Sequence, residues 1–118
     1  MDNQQNKITT KGKIASIIVL LDQYAILLMR DKKKLANNLM PEITGLLSEI
    51  IPAIVMSYEL EALKHMQQDM EYWLNQISRI TEAIQGKDAF LKIDVLYFET
   101  RENLILYMDM IEELGVTL

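Results

Sequence analysis

The segment LKHMQQDMEYWLNQISRITEAI, residues 63–84, sets Leu63, Met70, Ile77 and Ile84 seven residues apart. Met66, Trp73 and Ile80 each follow three residues after one of the first three. Alternating steps of three and four bring these side chains onto one face of an α-helix, whereas a strand would divide them between two faces. The segment is therefore helical, and nearly every other apolar residue of the chain falls into similar stripes. A chain so occupied with packing helices keeps few residues for chemistry.

Downstream, this helix runs to Gln85, where Gly86 supplies a left-handed stop and Asp88 a cap for a last helix. Ile93, Leu96, Tyr97, Thr100, Leu104, Tyr107, Met108 and Ile111 form the stripe of that helix, and Gly115 ends it. Upstream, Ile14, Ile17, Ile18, Leu21, Ala25 and Leu28 stripe a first helix. Val19, Leu20, Ile26 and Leu27 widen its apolar surface almost to the full circumference. Such a helix requires cover on nearly all sides, from other helices of the chain or from a second subunit. Asp31 is placed to cap a second helix, with Leu35, Leu39, Ile43, Leu46, Leu47, Ile50 and Ile54 turned inward. Pro41 and Pro52 each mark a start or a kink in it, because an interior proline removes a backbone hydrogen bond at a cost of about 3 kcal/mol.

The turn into the third helix carries the weakest signal, since Pro52 to Gln68 holds no glycine. We place it between Pro52 and Glu59 with Ser57 as a cap, one long bent helix being the alternative. Residues 1–10 read as a disordered polar lead and residues 11–118 as one domain. The expected fold is all-α, an antiparallel four-helix bundle with a kinked second helix. A spacing of 57 residues pairs Ile17 with Leu74, Asp31 with Asp88, Glu42 with Glu99, Leu47 with Leu104 and Ile54 with Ile111, which suggests two helical hairpins.

Composition agrees with that class. Among 118 residues only four Gly and two Pro interrupt the chain, and the absence of cysteine excludes disulfides and thiolate metal sites. A reducing cytoplasm suits such a chain. The apolar run Ile14–Met29 is shorter than the roughly 20 residues that span a bilayer, and Asp22 near its middle would cost about 3 kcal/mol there. We read it as a buried central helix, with no membrane partner. The net charge of −5 divides into +4 over residues 1–34 and −9 over the rest, an asymmetry that suits an acidic partner or head-to-tail pairing of two copies.

The segments Arg30-Asp31-Lys32 leading to Leu39-Met40-Pro41-Glu42-Ile43, and Gly86-Lys87-Asp88-Ala89-Phe90 leading to Asp94-Val95-Leu96-Tyr97-Phe98-Glu99, give the chain a further aspect. In them it resembles a family of uncharacterised small helical proteins from Gram-positive bacteria. The resemblance implies a helical fold and carries no catalytic residues across.

Candidate chemistry is sparse. Glu61, His65 and Asp69 stand four apart, as metal ligands on one helix face would, yet a di-metal bundle needs carboxylates from four helices and two histidines, and His65 is the chain's single histidine. With no cysteine and no Gly-rich phosphate loop, the usual nucleophile–base pairs and nucleotide cradles cannot be assembled. Glu42 and Glu99 are the carboxylates to examine for a bundle enzyme, with Arg79 or Arg101 as their structural partners instead. Arg30, Lys32, Lys33 and Lys34 form a small basic patch without interleaved aromatics, so no nucleic-acid partner is expected. Eight methionines supply adaptable apolar side chains. The expected function is accordingly a non-catalytic protein–protein interaction module, cofactor-free and homodimeric, with Trp73, Tyr97, Phe98 and Met110 as candidate contact residues. An export-chaperone-like binder of an amphipathic partner helix is the variant of this reading, and a carboxylate-based enzyme or metal binder the alternative.

Overall fold

Thr9 opens the first helix, α1 (Thr10–Met29), its hydroxyl oxygen accepting from the Gly12 N–H at 3.0 Å. The computed structural model describes residues 9–118, so residues 1–8 of the expected lead lie outside the described residues. Ile14, Ile17, Leu21, Tyr24 and Ala25 make the buried face of α1. Its cover is incomplete, for Val19, Ile26 and Met29 remain exposed.

The chain then reverses through Asp31, whose φ of 57° is the left-handed conformation. Its N–H bonds the Leu28 carbonyl and that of Lys32 bonds the Leu27 carbonyl, the paired closure of a Schellman motif. Asp31 thus stops α1 and does not cap α2 (Lys33–Ser57), which begins at Lys32 without a side-chain cap. Pro41 and Pro52 lie inside α2 rather than at a boundary. Both are exposed, as are Asn37 and Ser48 four residues upstream, so the carbonyls that lose their partners face water. Leu35, expected inside, is exposed at the first turn.

The break after α2 falls at residues 58–66, later than the sequence suggested. Ser57 caps nothing. Its hydroxyl donates to the Ile54 carbonyl at 2.6 Å and meets the Tyr107 hydroxyl at 2.6 Å. Leu63 and Met66, the first members of the heptad stripe, belong to this irregular segment, where three-residue bonds such as Leu63 N–H to Leu60 O replace α-helical ones. Leu63 is nonetheless fully buried and anchors the turn. The third helix, α3 (Gln67–Gln85), buries Trp73, Gln76, Ile80 and Ala83. Relative to the heptad stripe it is rotated, leaving Ile77 38% exposed.

Gly86 is extended, with φ −83° and ψ 175°, and so is not a left-handed stop. Glycine fits because a Cβ there would come within 3.2 Å of the Glu82 carbonyl oxygen. Asp88 caps the fourth helix as expected, accepting from the Phe90 and Leu91 N–H groups at 3.0 and 3.1 Å. That helix, α4, covers residues 89–113: one α turn (Ala89–Lys92), a π-helix (Ile93–Arg101) and a second α stretch (Glu102–Glu113). Gly115, at φ 70°, closes it with bonds from Gly115 N–H to Glu112 O and from Val116 N–H to Ile111 O.

Four antiparallel helices therefore make an all-α bundle in which α1 and α3 each pack between α2 and α4. The molecule is flat, 44 × 40 × 21 Å. Its thin dimension corresponds to two layers of helices about 10 Å across. By length and composition α1 and α2 are each apolar enough to cross a membrane; here they pack against one another. Shifted by 57 residues, α1 and α2 would cover 67–86 and 90–114, within one residue of α3 and α4. The buried faces follow only in part. Leu47 with Leu104 and Ile54 with Ile111 are buried in both halves, whereas Ile17 is buried and its counterpart Leu74 is exposed. The buried face of α3 matches that of α1 at a shift of 59, with Ile14, Ile17 and Leu21 opposite Trp73, Gln76 and Ile80. Two hairpins of equal length are present, with the first helix of each turned differently about its axis.

Candidate binding site

Aromatic residues gather where the turn at 58–66 meets α3 and α4. Tyr58 leaves α2, Trp73 lies nearly two turns into α3, and Tyr107 comes from the second α stretch of α4; all three are buried. Trp73 stands edge-on to Tyr107 at 6.3 Å and 83°, and to Tyr72 at 6.2 Å and 80°. Tyr58 is tilted against Tyr107 at 6.3 Å. Edge-on and tilted settings are the preferred packing of aromatic rings, and they join these side chains into one cluster. They line a pocket of about 320 Å³, completed by Asp69, Asn103, Leu106 and Met110. Asn103 fixes the outer ring, its Nδ2 donating to the Tyr72 hydroxyl and, at 2.8 Å, to the Glu99 carbonyl. Burial, followed by the nearby Asp69 carboxylate and Tyr107, pushes Tyr58 up to about 12, so its phenol stays neutral at physiological pH. Burial likewise raises Tyr107, partly offset by its bond to Ser57.

Behind this pocket runs a polar seam. Arg79 of α3 grips Glu99 with two bonds, Nε to Oε1 at 2.8 Å and Nη2 to Oε2 at 2.6 Å. Gln76, buried, donates to Glu99 Oε1 at 3.1 Å and to the Thr100 hydroxyl at 3.4 Å. Arg79, then Gln76, hold the Glu99 carboxyl below its ordinary range against the opposing effect of burial. On the α1 side Arg101 donates to Asp22 at 2.6 Å and lies over the Tyr97 ring, 5.2 Å from its centroid.

Between α2 and α3 opens a second recess, about 220 Å³, walled by Leu47, Ile51, Pro52, Ile77, Ile80 and Ile84, with Thr44, Ser48 and Thr81 as its polar members. A smaller notch of about 80 Å³ brings Lys33, Lys87 and Lys92 beside Tyr24, whose buried hydroxyl has no hydrogen-bond partner among the described residues. Sequence reading missed the joining of Lys33 to lysines more than fifty residues away, because only the docking of the two hairpins unites them.

Of the four candidate contact residues, Trp73 and Met110 share the aromatic pocket. Tyr97 and Phe98 do not line it; they pair edge-on at 5.0 Å, with Phe98 exposed. Tyr58, Tyr72 and Tyr107 were not singled out, since single tyrosines in three different segments carry no common spacing. The ligand trio does not assemble: Glu61 and His65 belong to the irregular segment and only Asp69 to α3. Among the described residues no three His, Asp or Glu side chains cluster as metal ligands would. Glu42 is exposed on α2, apart from the Arg79–Glu99 pair, so the two glutamates form no carboxylate dyad. The chain matches no family model, no curated protein and no solved structure.

Proposed function

We propose that the protein is a non-catalytic helical interaction module of the cytoplasm that seats an apolar helix face, first of all that of a second copy, in the recess between α2 and α3. The observation that carries this reading is the rotation of α3. Its heptad stripe is wider than the bundle uses, and the flank left over, exposed Ile77 beside half-buried Ile84, becomes one wall of an apolar recess facing Leu47, Ile51 and Pro52. Helix-in-groove recognition needs such a trough, lined by residues at helical spacing. The exposed Val19, Ile26 and Met29 on α1 extend the apolar surface available to a partner. The resemblance to small helical proteins of Gram-positive bacteria fits this reading and adds no activity to it.

Sedimentation equilibrium tests it. The expected result is a dimer of the 13.7 kDa chain that dissociates in Ile77→Lys, a substitution at a partly exposed position that leaves the helical circular dichroism intact. A 13.7 kDa particle at every concentration reached argues against self-association through the recess.

A further inference from the structure

The small notch where the two hairpins meet gathers hydrogen-bond donors and almost no acceptors. Lys33 at the start of α2, Lys87 in the α3–α4 turn and Lys92 in the first turn of α4 line it with Asn37 and Tyr24. No carboxylate lines it, and none of the three lysines forms an ion pair among the described residues. Asp88, next to Lys87 in sequence, is already engaged in capping α4. Like charges brought together in this way repel one another until an anion joins them. Tyr24 is 1% exposed, and its hydroxyl has no partner among the described residues. Burial raises its pKa, so the phenol keeps its proton and lacks an acceptor for it. We propose that the notch binds a phosphate group, held by Lys33, Lys87 and Lys92 with Asn37 and the Tyr24 hydroxyl.

Charge, hydrogen-bonding capacity and size select that group. A phosphate monoester brings three strong acceptor oxygens and a charge of about −1.5 to −2 at neutral pH. Three ammonium groups, the Asn37 amide and the Tyr24 hydroxyl supply donors for all of them. A carboxylate, with one charge and two oxygens, would leave more of the lysine charge uncompensated. The volume of about 80 Å³ exceeds the roughly 10–15 Å³ that one water needs and falls well below the roughly 300 Å³ at which pockets for whole small molecules begin. The notch therefore takes a head group and leaves the rest of its ligand outside. Lys33 and Lys87 are exposed and Tyr24 is buried, so the site has a charged rim and a phenol at its base. It shares no residue with the α2–α3 recess and stands or falls separately from self-association.

Amide chemical shifts of the full chain test the site. The protein is titrated with glycerol 3-phosphate at low salt, with glycerol and with sodium chloride at matched ionic strength as controls. Saturable shifts are expected at Lys33, Asn37 and residues 87–92 with the phosphate ester alone. Phosphatidic acid vesicles, which present the same monoester on a membrane, form a second arm read by co-sedimentation, with phosphatidylcholine vesicles as control. Saturation by glycerol 3-phosphate assigns a soluble phosphate ester, and binding to phosphatidic acid vesicles alone assigns a lipid head group. Lys33→Gln and Lys87→Gln, both at exposed positions, should each weaken binding by about two- to fivefold. Lys34→Gln removes the same charge from the same turn without touching the notch, and should weaken it by less than about twofold. Tyr24→Phe keeps the ring and removes only the unpaired hydroxyl, so it should weaken binding by about threefold or more and leave the urea midpoint of the free protein unchanged or raised. No saturable response in either arm overturns the proposal, as do equal losses in Lys33→Gln and Lys34→Gln or full binding by Tyr24→Phe.

Discussion

Ser57 has one hydroxyl hydrogen and gives it to the Ile54 carbonyl, so in its 2.6 Å contact with Tyr107 the phenol must be the donor. Removing the serine oxygen leaves that phenol buried without an acceptor. Ser57→Ala is expected to cost about 1–3 kcal/mol. Ser57→Ala combined with Tyr107→Phe should recover most of the loss, because both ends of the bond are then gone. Urea denaturation of the two single variants and the double variant measures this coupling, and strictly additive losses would contradict it. Glu99 yields a pH prediction at the same scale. Its folded pKa is depressed, chiefly by the bonds from Arg79, so its contribution to stability is present above the ordinary glutamate value, about 4.3. It is lost as pH falls through the lower folded value. Arg79→Gln should therefore lower the urea midpoint at neutral pH and leave it nearly unchanged under strongly acidic conditions, where Glu99 is protonated in both proteins. The pair is partly exposed, so the difference is small and shrinks with added salt.

Between residues and whole fold, each element ends for a reason that sequence reveals unevenly. Asp31 and Gly115 occupy the same place in equivalent Schellman motifs, both at positive φ, yet only glycine adopts that conformation without strain. Asp31→Gly relieves about 1–2 kcal/mol of left-handed strain and gives back about 0.5–1 kcal/mol of chain entropy. A net gain of about 0.5 kcal/mol, seen as a thermal midpoint raised by a few degrees, is expected. A lowered midpoint would mean that the Asp31 side chain contributes more than its backbone costs. The stop at Gly115 was legible because glycine announces it; the one at Asp31 read as a cap because aspartate serves both ends of helices. Four helices followed from periodicity alone, but the turn at residues 58–66 did not, since its anchor, Leu63, continues the heptad pattern into a segment that is not α-helical. In α4 the 3.6-residue period assigns Tyr97 to the inward stripe and omits Val95. The π-helix closes its hydrogen bonds over five residues and so widens the turn; Val95 and Thr100 share the buried face and Tyr97 is left half-buried. The pocket was legible only through Trp73 and Met110, because its three tyrosines meet through tertiary packing.

For the molecule as a whole, two forces could bring copies together, and they respond oppositely to salt. The +4 of residues 1–34 and the −9 of the remainder would drive a head-to-tail arrangement, weakened as the Debye length shrinks from about 10 Å at 0.1 M salt to about 3 Å at 1 M. Burial of Ile77, Ile84 and the facing α2 side chains is an apolar association, which screening does not weaken and salting-out anions such as sulfate strengthen. The charge is also dispersed through local pairs: Lys13 meets Glu49 at 3.2 Å and Lys11 meets Glu112 at 3.6 Å, so part of the basic end is neutralised within one chain. The apolar term is therefore expected to dominate. Sedimentation equilibrium at about 0.1 M and about 1 M salt should give the same dimer constant or a tighter one at the higher value, with sulfate tightening it more than chloride. A dimer that dissociates on adding salt would place the interface on the charged ends, leaving the α2–α3 recess without the second copy assigned to it.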